Sequence, residues 1–517
     1  MLEIIPNMPE TTPEDTVVDM VRRVARVNPD RDAVVCDGTR LSWAAFDTAI
    51  NKAANMLIAR GVTRGDRVAV LAPNSIAYAV LFMGILRAGG CVVPLSTMAS
   101  TTALEKMVKD CGARVFCLAE TYRELVPFID AMDITRIALD FEADGVEAYA
   151  QAMDDADTTD PMVPVGMGDG FNLIYSSGTT GTPKGILHTH FLRAAQMDRV
   201  TANGYDDAAR TLLSTPLYSN TTIVAFLPTL VGGSTAILMS KFDAQGWLAL
   251  AEAEAATHTM LVPVQYKRIV ELPEFADYDL SAMRLKLSTS APLRADVKQK
   301  VLAQMPGKLV EYYGLTEGGG VTVLIADENP TKLHTVGKPA PHCDIRLIGV
   351  DGVEVAPGEV GEICGRSPTM MAGYYGRDDL TEETLWRNAD GDVYLRSGDM
   401  GSFDADGFLV LSDRKKDMII SGGLNIYAND LELILLADPD VTDAAVIGVP
   451  SEAWGETPLG LVVLREGSVA TGEDIRARAN EKLGKSHRLS AVEVRDVLPR
   501  SSIGKILKKD LRAAYWP

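Results

Sequence analysis

The sequence predicts an α/β protein: a large N-terminal domain of βαβ-type sheets with a small β-rich unit, followed by a small α+β C-terminal domain. Three observations carry this prediction. Short β-branched runs alternate with longer amphipathic stretches through the first 300 residues. Glycine and aspartate turn pairs become dense after about residue 335. A compact charged segment, Ser412-Asp-Arg-Lys-Lys-Asp417, then precedes a last stretch of about 100 residues with its own β–α alternation.

Arg67-Val-Ala-Val-Leu71, Cys91-Val-Val-Pro-Leu95, Arg114-Val-Phe-Cys-Leu118 and Phe171-Asn-Leu-Ile-Tyr175 are near-continuous apolar runs, the pattern of strands buried on both faces. Between the early ones lie helical patterns. After Ser42, residues Phe46, Ile50, Ala54, Leu57 and Ile58 are expected on one helix face, with Ser42 as cap and Gly61 as terminator. Strands separated by helices imply βαβ units and largely parallel sheets. Asp351-Gly352, Pro357-Gly358, Asp390-Gly391 and Asp406-Gly407 punctuate shorter strands, and the charged segment divides residues 1–413 from residues 418–517.

With 517 residues, the length suggests roughly three compact units. The 47% apolar and 23% charged composition is that of a globular chain. Lys+Arg of 50 against Asp+Glu of 70 gives a net charge of -20, which disfavours nucleic-acid partners and anionic membranes. Cys36, Cys91, Cys111, Cys117, Cys343 and Cys364 form neither CxxC pairs nor a zinc-ligand cluster. No run of about 18 apolar residues marks a membrane span, and Met1 to Asp15 lacks a signal pattern. A cytoplasmic enzyme is expected, as monomer or homodimer.

The strongest local signal is Tyr175-Ser-Ser-Gly-Thr-Thr-Gly-Thr-Pro-Lys-Gly185. A strand runs into a loop of hydroxyls and glycines with a lysine behind it. Glycines let backbone N–H groups approach phosphate oxygens, hydroxyls add donors, and Lys184 adds a cation. The spacing from Gly178 to Lys184 is not that of the G-x-x-x-x-G-K-[ST] loop.

This segment resembles the phosphate loop of the adenylate-forming superfamily, the AMP-forming acyl-CoA synthetases and aryl-CoA ligases with their luciferase and adenylation-domain relatives. The resemblance covers essentially the whole chain. Leu71-Ala-Pro-Asn-Ser75 and Ala88-Gly-Gly-Cys-Val-Val-Pro94 look like N-terminal landmarks. Tyr313-Gly-Leu-Thr-Glu317 resembles the adenine and magnesium motif, and Tyr394-Leu-Arg-Ser-Gly-Asp399 the ribose motif. Arg414-Lys-Lys-Asp417 is similar to the hinge, and Pro499-Arg-Ser-Ser-Ile-Gly-Lys505 to the C-terminal catalytic loop.

The resemblance implies ATP, Mg2+ and coenzyme A as cofactors and a small carboxylic acid as substrate. Ser176, Ser177, Gly178, Thr179, Thr180 and Lys184 are expected around the β- and γ-phosphates. Tyr313 is expected to stack on adenine, with the backbone of Ser288-Thr-Ser-Ala-Pro292, Ser290 and Ala291 above all, on the other face, while Thr289 is expected in the substrate pocket with Tyr218, Asn220 and Tyr312. Thr316 would touch the α-phosphate, Glu317 would hold Mg2+, and Asp399 with Arg414 would reach the ribose. Lys505 would sit between carboxylate and α-phosphate, stabilising charge in the transition state. For the thiol half reaction, the mobile C-terminal domain would turn about Lys416, and Gly423 would line the pantetheine tunnel because a Cβ would narrow it. The expected product is an acyl-CoA thioester; the alternative is transfer of the acyl group to an amine or carrier protein.

Two departures bear on the acid. The acyl-pocket motif, normally Pro-x-Phe-His, reads Pro216-Leu-Tyr-Ser-Asn220, so Tyr218 keeps the aromatic while Ser219 replaces histidine; Asn220 adds polarity. Tyr312 stands where many long-chain enzymes have glycine, which predicts a shortened channel. His188 and His190 resemble an HxH ligand pair but have no identifiable third ligand, and the twenty methionines read as core filler.

Overall fold

Ser42 opens the expected helix, Trp43–Ala59, by accepting the amide of Ala45, and the chain leaves it through Gly61 at φ 79°. Phe46, Ile50, Ala54 and Leu57 are buried, but Ile58 is 37% exposed. At about 100° per residue the apolar stripe passes through Leu57 and leaves its neighbour outside. The computed structural model describes residues 13–126, 132, 134–176, 183–415, 417–421, 424–452, 454–483, 487–501 and 504–516. They form two units: one of Met1–Leu333, Ala340–Asp344 and Arg366–Leu395, the other of His334–Pro339, Ile345–Gly365 and Arg396–Pro517.

In the first unit the strands are β1 (Asp32–Cys36), β2 (Thr39–Ser42), β3 (Arg67–Leu71), β4 (Cys91–Pro94), β5 (Val115–Leu118), β6 (Thr135–Ala138), β7 (Glu147–Ala148), β8 (Gly170–Ser176), β9 (Lys184–Thr189), β10 (Arg210–Leu213), β11 (Thr235–Leu238), β12 (His258–Leu261), β13 (Leu285–Ser288), β14 (Lys308–Leu315) and β15 (Gly318–Ile325). The four runs expected to be strands are β3, β4, β5 and β8, with ends shifted by one residue at most. One sheet has the order β9-β8-β4-β3-β5-β6-β7, flanked at β9 by the short strand Gly373–Tyr374; the other has β15-β14-β13-β12-β10-β11-β1-β2. Pairing is parallel from β8 to β7 and from β14 to β1, whereas β9, β15, β2 and Gly373–Tyr374 pair antiparallel.

Successive residues of β3 explain the unbroken apolar run. Val68 and Val70 face one core, Ala69 and Leu71 the other. The core containing Val68 and Val70 also holds Leu213, Leu238, Met260, Leu287 and Val310 of the second sheet and the helices Trp43–Ala59, Ile76–Arg87 and Asn220–Val231. The two sheets therefore share one helical filling. Because most strands are parallel, their carboxyl ends lie on one edge of each sheet, where α/β proteins bind ligands.

In the second unit, Val441–Ser451 and Gly455–Leu464 form a long antiparallel hairpin, extended by Ile419–Ser421 and by Ala491–Val494, which runs parallel to its neighbour. Helices Ala428–Leu436 and Gly472–Glu481 cover its apolar face. The four turn glycines singled out in the sequence, Gly352, Gly358, Gly391 and Gly407, all take positive φ, between 78° and 87°. No helix among the described residues is long and apolar enough to cross a membrane.

Candidate active site

β13 and β14 are adjacent and parallel, with Ser288 opposite Glu311. The segment Thr289, Ser290 and Ala291 therefore leaves β13 beside Tyr312 and Tyr313 of β14. Ser290 has φ 81°, a left-handed conformation costly for a residue with a Cβ. Its hydroxyl pairs with Thr221 Oγ1 at the start of the helix Asn220–Val231, which follows β10. Glu311 ties the same corner from below. Its carboxylate accepts the Leu293 amide at 2.7 Å and pairs with Lys298 at 2.5 Å, both side chains 2% exposed. Burial raises the Glu311 pKa, opposed by Lys298 and the amide. An acid inside the apolar run Leu309-Val-Glu-Tyr-Tyr313 is the sequence signal that could have flagged this pair.

Beyond β14 the chain turns through Thr316 and Glu317. The Thr316 carbonyl meets His188 Nε2 at 2.7 Å. Tyr374 donates its hydroxyl to Glu317 Oε1 at 3.0 Å, and the Met371 amide donates to the Glu317 carbonyl at 2.9 Å. Burial, then the neighbouring Glu317 carboxylate, raises the Tyr374 pKa, so the phenol stays a donor. Next comes Gly318 at φ 80°, where a Cβ would collide with the Thr369 carbonyl. The same Tyr374 ring lies 5.2 Å from Lys184 Nζ at the start of β9, in register with Ser176 at the end of β8. Tyr374 thus joins Lys184 to Glu317, two residues 133 positions apart, and no sequence motif marks it. Ser177, Gly178, Thr179 and Thr180 lie outside the described residues.

On the acyl side, Tyr218 is 6% exposed and its hydroxyl has no partner among the described residues. Asn220 Oδ1 accepts Arg193 Nη2 at 2.9 Å. Arg193, fully buried in the helix His190–Ala195, also donates to Asn172 Oδ1 at 2.9–3.0 Å, Gln196 Oε1 at 3.1 Å and His188 Nδ1 at 2.8 Å. Burial and then Arg193 hold the His188 imidazole neutral, well below its usual pKa. Since Arg193 can only donate, His188 Nδ1 is the acceptor and Nε2–H donates to Thr316. His188 therefore serves Thr316, and no cluster of three potential ligands occurs among the described residues. Tyr312 is fastened too: its hydroxyl lies 3.2–3.3 Å from the Asn203 amide, and Arg199 stands 5.2 Å over its ring.

In the second unit, Asp399 and Arg414 face each other across a hairpin and join Oδ1 to Nε at 2.8 Å. Asp399 is 8% exposed. Lys505 is exposed on a tight loop in which the Ser501 amide donates to the Lys505 carbonyl at 2.8 Å and the Lys505 amide donates to the Ser501 hydroxyl at 3.2 Å. Arg500 anchors this loop to Asp443 at 2.6 Å. Lys416 and Gly423 lie outside the described residues.

Comparison with known proteins agrees with this geometry. The profile of the AMP-binding enzyme family matches residues 21–375, and that of the AMP-binding enzyme C-terminal domain matches residues 430–505. A feruloyl-CoA synthase from Amycolatopsis sp is 36% identical over 96% of this chain and 98% of its own length. The crystal structure of ATP-bound MatB from Rhodopseudomonas palustris superposes with a TM-score of 0.87 at 28% identity, covering 96% of this chain and 99% of that one. The amide bond synthetase McbA from Marinactinospora thermotolerans superposes at 0.86 with 26% identity, covering 97% and 100%. Matched by both family profiles and by relatives spanning nearly its full length, the chain belongs to the AMP-binding enzymes, the adenylate-forming superfamily.

Proposed function

We infer that the protein is an ATP-dependent carboxylic acid:CoA ligase that forms AMP, an acid–thiol ligase. In the first step a carboxylate oxygen of the acid attacks the α-phosphorus of ATP and pyrophosphate leaves. In the second, the thiol sulfur of coenzyme A attacks the acyl carbon of the adenylate; the thiol proton is lost and AMP leaves. The CoA-ligase relatives support the overall reaction. The single observation that carries the site assignment is the Lys184–Tyr374–Glu317 arrangement at the mouth of β8 and β9.

In this reading Ser176, Ser177, Gly178, Thr179, Thr180 and Lys184 hold the β- and γ-phosphates, while Tyr313 with Ser290 and Ala291 encloses adenine. Thr316 contacts the α-phosphate, and Asp399 with Arg414 takes the ribose. Glu317 fits a magnesium ion: Tyr374 occupies Oε1, whereas Oε2 has no partner among the described residues. A single carboxylate suffices because Mg2+ completes its shell with phosphate oxygens and water. The bound ion would neutralise phosphate charge. Lys505 steadies the charge that develops during adenylation, residues 414–417 with Lys416 form the pivot between residues 1–413 and 418–517, and Gly423 lines the thiol passage. Tyr218, Asn220, Thr289 and Tyr312 shape the acyl pocket. The cysteines, all free thiols and five of them buried, support a reducing cytoplasmic setting, with the chain as monomer or homodimer.

A mass spectrum of the products from ATP, Mg2+, coenzyme A and a panel of aromatic and short-to-medium aliphatic acids tests this. The expected products are AMP, pyrophosphate and an acyl-CoA; ADP and phosphate would overturn the mechanism. The likeness to an amide bond synthetase supplies the second reading. An amine in place of coenzyme A should leave the adenylate largely unconsumed, and efficient amide formation without thioester would favour that reading.

A further inference from the structure

Arg193 is a fully buried guanidinium with no carboxylate partner among the described residues. Such a group is costly unless every donor is used, and here every acceptor is neutral: Asn172 Oδ1, Gln196 Oε1, His188 Nδ1 and Asn220 Oδ1. Nη2 alone shares its two protons among three of them. Burial, and then the neighbouring Arg199, pulls the Arg193 pKa down to about 9, so the cation persists at neutral pH. The arrangement has a chemical consequence for Asn220. A guanidinium accepts no hydrogen bond, so the amide oxygen of Asn220 must turn toward Arg193 and its Nδ2 must turn away. Asn220 is half-buried, and its Nδ2 has no partner among the described residues. Two residues earlier, the buried Tyr218 hydroxyl likewise has no partner among the described residues.

We propose that Arg193 is a positioning residue that fixes Asn220 as a hydrogen-bond donor, so that the acyl part of the preferred acid carries an oxygen acceptor. This rests on the reading that Tyr218 and Asn220 line the acyl pocket. Through His188 the same guanidinium also orders the Thr316 carbonyl, which couples acid recognition to the turn before Glu317. A pocket with a fixed donor rejects an isostere lacking the acceptor, because the donor is then buried unpaired.

The test compares acids of near-equal shape that differ in the acceptor: acetyl- against isopropenyl-substituted cinnamates, and oxo- against methylidene-substituted aliphatic acids. Both kcat/KM for pyrophosphate release and the Kd from calorimetry are measured. In the wild type, at least one substitution position should favour the carbonyl member by about 10-fold or more. Asn220→Asp gives Arg193 an anion and replaces the donor by an acceptor. Its melting temperature should hold or rise, while the preference collapses to parity or inverts, chiefly through KM for the acid with KM for ATP unchanged. Arg193→Lys keeps the charge but loses the fork, and should reduce the preference several-fold. A wild type with no carbonyl preference at any position, or a preference that survives Asn220→Asp, would overturn the proposal. The calorimetric ratio reads it even if Arg193→Lys folds poorly. Absence of pyrophosphate with every acid, alongside a normal binding ratio, would sink the ligase reading and leave this one standing.

Discussion

The β14 corner and the Lys505 loop solve opposite problems. At β14, Glu311, Thr316 and Glu317 are each held by partners distant in sequence: Lys298 and Leu293, His188, and Tyr374. Lys505 sits exposed on a loop closed by the amide and the hydroxyl of Ser501, with Arg500 as its anchor. The first region is preorganised, so its side chains lose little entropy when a ligand arrives. The second ties down only the base of its loop and leaves the lysine at the surface, which would suit the proposed role of a group engaged in one step and withdrawn for the next. Breaking the buried ion pair of the first region should therefore cost stability, and altering the second should cost only rate.

The largest effect expected is from Glu311→Ala, which strands the Lys298 ammonium in the core. A loss of about 3–5 kcal/mol in denaturant unfolding is predicted, the range for breaking a buried ion pair; a loss below about 1 kcal/mol would mean the corner is not held this way. Lys505→Ala should leave the melting temperature unchanged while lowering adenylation about 100-fold or more. Thiolation of a presupplied acyl-adenylate should survive, and equal loss of both steps would erase the contrast between the regions.

Acid offers a sharper probe of the first unit. His188, His190 and His258 are buried and their pKa values lowered, His190 to about 4, with burial the leading cause in each. Below pH 6.5 the unfolded chain binds protons there that the folded chain does not. Stability is therefore complete above pH 6.5 and falls with acid, by about 1.4 kcal/mol per pH unit for each histidine. His188→Gln should flatten the slope of a pH series of unfolding midpoints by one proton's worth.

Tyr312→Gly should lengthen the range of acids accepted, by about 1–3 kcal/mol in relative kcat/KM. The hydrogen bond to Asn203 and the overlying Arg199 argue that the ring does not swing aside. An unchanged length profile would show that it does not floor the pocket. The smallest change belongs to Tyr374→Phe. Loss of one hydrogen bond to Glu317, worth about 1 kcal/mol, should raise the Mg2+ concentration needed for half-maximal rate a few-fold with little change in unfolding.

Strands and motifs were legible because their signals are local. Buried parallel strands must be apolar on both faces, and turn glycines must be free to take positive φ, so β3, β4, β5, β8 and the four Gly turns stand out in the sequence. The candidate site residues were legible as motifs for the same reason. What holds them was not. Arg193, His188 and Tyr374 act on partners brought close only by sheet order, and each has an ordinary neighbourhood in sequence. His188 looked like half of a ligand pair; its role became visible only once β9 lay beside the turn after β14.

The chain order of the two units sets a rule for recombination. Residues 345–365 belong to the second unit, yet Arg366–Leu395 returns to the first and supplies Thr369, Met371 and Tyr374 around Glu317 and Gly318. A hybrid made with a homologous parent by crossing over near residue 345 would import a foreign Tyr374 strap against a native Glu317 turn. A crossover after Leu395 keeps strap and turn from one parent, so it is the junction at which shuffled progeny should retain a matched Tyr374–Glu317 pair.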